Sequence, residues 1–156
     1  MNDDRFMDEA VAEARRGIRA GEGGPFGAVV VKDGRVVAHG HNQVIAHGDP
    51  TAHAEVQAIR AACRELGTFD LTGCEIYATC EPCPMCFAAI HWARLDRVRF
   101  GATRADAAAI GFDDDAIYRV LAGEAAPAFG VEGGVGAESC REVMRDWEGN
   151  EGRVPY

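Results

Sequence analysis

Two distant segments restrict this chain more than any other feature. His53-Ala54-Glu55 lies upstream and Pro82-Cys83-Pro84-Met85-Cys86 downstream. Cys83 and Cys86 are three positions apart, so on a helix both sulfurs fall on one face and can hold one ion. His53 adds a nitrogen. Three soft or borderline ligands leave one tetrahedral position open, the pattern of a catalytic rather than a structural zinc. Glu55, two residues after the histidine, is close enough to act on whatever fills that position. Rival readings exist for each half alone: a Cys-x-x-Cys pair also serves redox chemistry or a structural zinc. A closed site of Cys80, Cys83, Cys86 and His53 leaves Glu55 without a task, and thioredoxin-like chemistry calls for neither His53 nor Glu55.

Bulk properties narrow the setting. A length of 156 residues fits one domain with a real core. The net charge of −9 argues against a nucleic-acid partner, because phosphate contacts need clustered Lys and Arg. No apolar run approaches the ~18 residues of a membrane span. The start, Met1-Asn2-Asp3-Asp4-Arg5, has neither the basic nor the apolar region of a signal peptide. Six cysteines, three of them within 80–86, suit a metal in a reducing compartment better than a disulfide framework. The expected location is cytoplasmic.

Taken in order, Phe6, Met7, Ala10, Val11, Ala14 and Ile18 recur at helical spacing, with Asn2 and Asp3 available as caps. Residues 26–32 and 35–41 are β-rich and flank Asp33-Gly34, a type I′ hairpin signal. His39, His41 and His47 show no ligand spacing. Asp49-Pro50-Thr51 turns into a helix with the stripe Val56, Ile59, Ala62 and Cys63, and Asp49 or Thr51 can cap it. A buried strand over 74–79 leads into the cysteine segment, and a helix follows through Phe87, Ile90 and Ala93. His53 and Cys83 therefore sit near helix N-termini, where free N–H groups and the dipole favour thiolate at Cys83. A strand over 97–101 precedes a weakly helical stretch over 105–115, whose Asp113 or Asp115 can cap a short helix over 116–121. Residues 123–136 read as loop around a short strand at 128–131. Cys140, Val143, Met144 and Trp147 mark a last amphipathic helix.

This order predicts an α/β fold: one domain over 1–156, a three-layer α/β/α sandwich with a central mixed five-stranded sheet. The hairpin supplies an antiparallel pair and the crossover helices parallel ones.

His-x-Glu with Pro-Cys-x-x-Cys is a signature of zinc deaminases. The chain resembles the cytidine deaminase-like superfamily and, within it, the bacterial guanine deaminases. The resemblance extends over Gly23-Gly24-Pro25-Phe26-Gly27-Ala28-Val29, Asp49-Pro50-Thr51-Ala52-His53-Ala54-Glu55-Val56 and the segment 80–86, shared broadly with purine and tRNA deaminases. It continues through Ala89-Ile90-His91-Trp92-Ala93-Arg94, Asp106-Ala107-Ala108 and Gly111-Phe112-Asp113-Asp114, of which Trp92-Ala93-Arg94 and Gly111-Phe112-Asp113-Asp114 are more particular to guanine deaminases.

The resemblance implies strand order 2-1-3-4-5 and hydrolytic deamination of guanine to xanthine and ammonia. It implies one Zn²⁺ per chain on His53, Cys83 and Cys86, with Glu55 as proton carrier. Guanine presents its amino group beside the N1–H donor, so its pocket gains from a charged acceptor. Asp114 is the candidate, and as a relay to the leaving amine it is also catalytic. Phe26, Asn42, Ala54, Trp92 and the terminal Tyr156 complete the implied contacts to a small purine base, Asn42 both donating and accepting. Trp92 and Arg94 beside the zinc helix suit the centre of a homodimer interface. The segment from about 123 can be exchanged between protomers. A tRNA adenosine deaminase, a deaminase of guanosine, cytosine or an aminotriazine, and a non-catalytic zinc module are the alternatives.

Overall fold

Alternation along β1 (Gly27–Lys32) divides its side chains between two helical layers. Val29 and Val31, with Tyr77 of β3 (Cys74–Cys80), meet Phe6 and Ala10 of α1 (Asp4–Ala20). Ala28, Val30, Ile76 and Ala78 face the other way, against Ala54, Ala58 and Ala62 of α3 (Ala54–Leu66) and Ile90 of α4 (Pro84–Trp92). Each fully buried valine contributes about 1.5–3 kcal/mol of transfer free energy. The structure, a computed structural model, describes residues 4–156; Asn2 and Asp3, the expected caps of α1, lie outside the described residues.

The sheet runs β2-β1-β3-β4, with β2 at Arg35–His41 and β4 at Arg97–Ala102. β1 pairs antiparallel with β2 and β3, and β3 pairs parallel with β4, so the sheet is mixed. At the hairpin Asp33 and Gly34 take φ of 50° and 71°, the two positive values that a type I′ turn requires. Two glycines let the helices press onto the strands. A Cβ on Gly27 would stand 2.1 Å from the Ala10 carbonyl oxygen, and one on Gly40 2.4 Å from the Ala58 nitrogen.

The layers match expectation; the strand count does not. The sheet has four strands among the described residues, not five. Residues 128–131 form no strand: Pro127 precedes them, Gly130 interrupts them, and Phe129 and Val131 are 73% and 76% exposed. A short α2 (Val44–His47) was not foreseen, since four residues carry no periodicity. The N-cap of α3 is His53, not Asp49 or Thr51. Asp49 Oδ1 instead accepts from the Thr51 amide and hydroxyl at 2.8 and 2.7 Å, which makes the turn ahead of the helix. After β4 come α5 (Arg104–Ala109), closed by a Thr103/Asp106 capping box, and α6 (Asp115–Leu121). Asp113 Oδ1 accepts from the Asp115 amide at 2.9 Å, the same two-residue turn that Asp49 makes ahead of α3.

The chain divides into two units, the first ending at Ala116 and the second covering Ile117–Tyr156. The second holds most of α6, a glycine-rich connection and α7 (Ala137–Glu148). None of its residues is buried. Glu138 bonds Arg141 and Arg145 along the polar side of α7, while Val143 and Met144 stand exposed. No helix among the described residues is long and apolar enough to cross a membrane.

Candidate active site

Two helices begin at one place. His53 is the N-cap of α3 and Cys83 the N-cap of α4, both in extended backbone, with Pro84 opening the second helix. Proline suits this position because a first-turn N–H has no helical partner to lose. Cys83 Sγ accepts from the Cys86 amide at 3.5 Å, as an N-cap side chain does. The His53 Nδ1 atom stands 3.5 Å from Cys83 Sγ and 3.5 Å from Cys86 Sγ. The potential ligand atoms of these three residues all lie within 4.8 Å of one another.

That spacing tests whether zinc fits. With sulfur at about 2.3 Å and nitrogen at about 2.0 Å from the ion, the tetrahedral sulfur–nitrogen edge is about 3.5 Å. The electrostatics agree. Hydrogen bonds from Cys86 and His53 pull the Cys83 thiol far below its usual range, while the bond to Cys83 and burial push Cys86 up. Two sulfurs this close ionise together only around a cation. His53 is pushed up chiefly by its bond to Cys83.

Glu55 follows within the first turn of α3 and is buried. Burial raises its carboxyl above the ordinary range, the Cys83 charge adds to this, and a hydrogen bond from Cys86 works against it. Cys80 stays outside the cluster. Its thiol points to the Thr103 carbonyl at 3.6 Å, and burial pushes it up to about 11.

The predicted pocket residues divide. Ala54 is buried at the start of α3. Phe26 packs against the core cluster and meets the Phe112 ring edge-on, centroids 5.0 Å apart. Phe112 carried no role in the sequence reading; the signal was Gly24, where a Cβ would lie 3.1 Å from both rings. Asp114, two residues on, is half-buried in the first unit. Burial raises its carboxyl above the ordinary range, and the Cys83 charge raises it further. Asn42 is buried, and its Oδ1 accepts from the Gly24 and Val44 amides, each at 3.2 Å. Those two donors occupy the oxygen and leave the Nδ2 donor, where the sequence reading had Asn42 both donating and accepting. Trp92 is not brought to the cluster. It ends α4, 67% exposed, about 13 Å along the helix axis from Cys83. Tyr156 belongs to the second unit and is 74% exposed.

Comparison with known proteins agrees with this geometry. Residues 1–102 match the cytidine and deoxycytidylate deaminase zinc-binding region. The chain belongs to that deaminase family. Within the family it is 55% identical over 121 residues to the guanine deaminase of Bacillus subtilis (strain 168), covering 78% of each chain. The crystal structure of guanine deaminase from Bacillus subtilis superposes with a TM-score of 0.88 at 44% identity, over 100% of this chain and 99% of that one. The tRNA-specific adenosine deaminase of Aquifex aeolicus (strain VF5) is 46% identical over 102 residues, 65% of this chain and 67% of its own. A further solved family structure, in complex with 2,6-diaminopurine, has a TM-score of 0.67 at 36% identity, over 70% of this chain and 61% of that one. Family membership and the α/β/α fold expected from the motifs therefore hold.

Proposed function

We propose that this chain hydrolyses guanine to xanthine and ammonia with one zinc ion held by His53, Cys83 and Cys86. The observation that carries the reading is the histidine nitrogen at tetrahedral-edge distance from both sulfurs, with a buried carboxylate two residues from the histidine. The similarity to guanine deaminase over all of the chain supports the choice of base.

Bound there, zinc supplies Lewis acidity, which makes water a nucleophile near neutral pH. Two thiolates temper that acidity, so a base is needed. Glu55 takes the proton of the attacking water as oxygen bonds to C2, then delivers protons to the ring nitrogen and the departing amine. Its burial suits both halves of the task, because a raised carboxyl both accepts and returns a proton near neutrality. Asp114 accepts from N1–H and can relay a proton to the leaving ammonia. Asn42 donates to an acceptor on the purine, Phe26 walls the ring, and Ala54 lies against it. Tyr156 closes the pocket in its own or a partner's subunit.

The working unit in this reading is a cytoplasmic homodimer, each chain one deaminase domain whose segment from about 123 can exchange between protomers. Support comes from that segment's lack of any buried residue and from the exposure of Phe87 and Trp92 on α4. A second reading, tRNA adenosine deamination, draws on the likeness to the Aquifex aeolicus enzyme. The net charge of −9 speaks against it.

The test compares kcat/KM for guanine, guanosine, adenine, cytosine and a tRNA anticodon stem-loop, then guanine in Asp114→Asn. Guanine is expected to lead adenine and cytosine by about 10⁴-fold, because analogues leave the pocket's polar groups unpaired. If adenine, cytosine or the stem-loop outruns guanine, the substrate assignment is wrong. If Asp114→Asn stays near wild type, only the role of Asp114 is.

A further inference from the structure

Behind Asn42 lies a chain of polar side chains that the chemistry above does not use. His41 is 4% exposed, yet both of its ring nitrogens face carboxylates: Nδ1 is 2.7 Å from Glu13 Oε1, and Nε2 bonds Glu22. Arg16 also holds Glu13, Nε to Oε2 at 3.0 Å and Nη2 to the Oε1 that His41 shares. Gln43 Nε2 donates to the same Glu22 oxygen at 2.9 Å, and Gln57 donates to Gln43 Oε1 at 2.7 Å. The Glu22 carboxylate thus grips both sequence neighbours of Asn42. Gly17 is part of the fit, since a Cβ there would stand 2.5 Å from the His41 ring.

The Glu22 backbone reinforces this grip. Its carbonyl accepts from the Ile45 and Ala46 amides at 3.1 and 3.0 Å, closing the first turn of α2. The two amides that orient the Asn42 side chain belong to Gly24, two residues after Glu22, and to Val44, the first residue of α2. Glu22 therefore links the two segments that decide which end of the Asn42 amide faces outward. A side-chain amide turned over would offer an acceptor in place of a donor, and a base with an acceptor at that edge would lose its partner.

We propose that Glu22, working through His41 and Gln43, is a positioning residue that holds Asn42 as a donor to the purine and so sets substrate affinity rather than turnover. This rests on the guanine-deaminase reading for its ligand, but not for its geometry. The Glu22 side chain also borders a cavity of about 390 Å³, so its truncation admits water instead of collapsing a core.

Two measurements on the zinc-loaded full-length protein test the inference. Without ligand, Glu22→Ala should speed hydrogen exchange at the Gly24 and Val44 amides by about tenfold, the worth of one hydrogen bond, and leave Val29 and Val30 in β1 unchanged. A purely structural role would speed exchange in the sheet as well. With guanine, Glu22→Ala should raise KM about tenfold and keep kcat within about threefold. The Glu22→Ala/Asn42→Ala double variant should match Asn42→Ala alone, because both act on one contact. Glu22→Gln keeps one oxygen that both donors can share but loses the negative charge, and should fall between; it carries the same cycle if the alanine variant fails to fold. Penalties that multiply, a fall in kcat at constant KM, or unchanged exchange at Gly24 and Val44 overturn the proposal. A wild type inactive on guanine counts against the substrate reading alone, since the ligand-free exchange still reports on Glu22.

Discussion

Up to Ala116 the chain buries Val29, Val30, Val31, Leu71 and Ile76 to 1% exposure or less, whereas from Ile117 to Tyr156 it buries no residue at all. The second region is not polar. Leu121, Phe129, Val131, Val135, Val143 and Met144 are each more than 65% exposed. The contrast teaches that amphipathic pattern and burial are separate matters. Both α1 and α7 present an apolar stripe, but only α1 has a sheet to set it against. An apolar surface of this extent on one segment is what interacting surfaces look like before they are covered.

The largest expected effect lies wholly in the first unit. Glu55→Ala should lose about two orders of magnitude or more in turnover, the usual size of an acid–base contribution. Its zinc content by metal analysis and its oligomeric state by sedimentation should stay as in wild type. Loss of metal in that variant would mean that Glu55 holds the site together and does not act on the substrate.

Next come paired truncations, one in each unit. Leu71→Ala removes a fully buried side chain and should cost about 2–5 kcal/mol in denaturant unfolding. Met144→Ala removes an exposed one and should change unfolding of the isolated protomer by about 0.5 kcal/mol or less. If a second copy covers α7, the same change should weaken self-association by about tenfold. A wild type that sediments as a monomer at micromolar concentration would break the comparison, for the apolar side chains of 117–156 would then be bare by nature.

The smallest effect is a pH dependence. Burial alone would raise the Glu13 carboxyl, but its bonds to Arg16 and His41 outweigh this and hold it below the usual carboxylate range. A lowered carboxyl stabilises the fold above its unfolded value, and that contribution fades as pH falls through the folded one. Glu13→Gln should therefore reduce thermal stability at neutral pH and flatten the acid side of the stability profile. An acid limb identical to wild type would show that His41 and Arg16 do not depend on that charge.

How much was legible follows from how each feature is encoded. The hairpin was written in two adjacent residues, Asp33 and Gly34, and formed as read. The His53, Cys83 and Cys86 cluster spans 30 positions, but each half is a short motif and the two halves share one ligand chemistry, so they could be joined without knowledge of the sheet. The fifth strand failed because β-preference at 128–131 had no neighbouring strand or core to pack on. His41 was read only as lacking ligand spacing, because Glu13 and Glu22, 28 and 19 positions away, sit in no motif that would mark them as its partners. Trp92 was placed by its motif and not by its distance along α4, and that distance separates it from the cysteines.

One consequence of the two converging helix starts concerns synthesis on the ribosome. His53 emerges 30 residues before Cys83, with all of β3 between them. A disordered chain that gathered these groups around a metal would bear a loop-closure cost of about 3 kcal/mol. Once β3 has inserted beside β1, the sheet has closed that loop. For the proposed zinc site, tight capture therefore requires the central strands to be in place, and a chain ending before Cys83 would carry His53 alone of the three ligands.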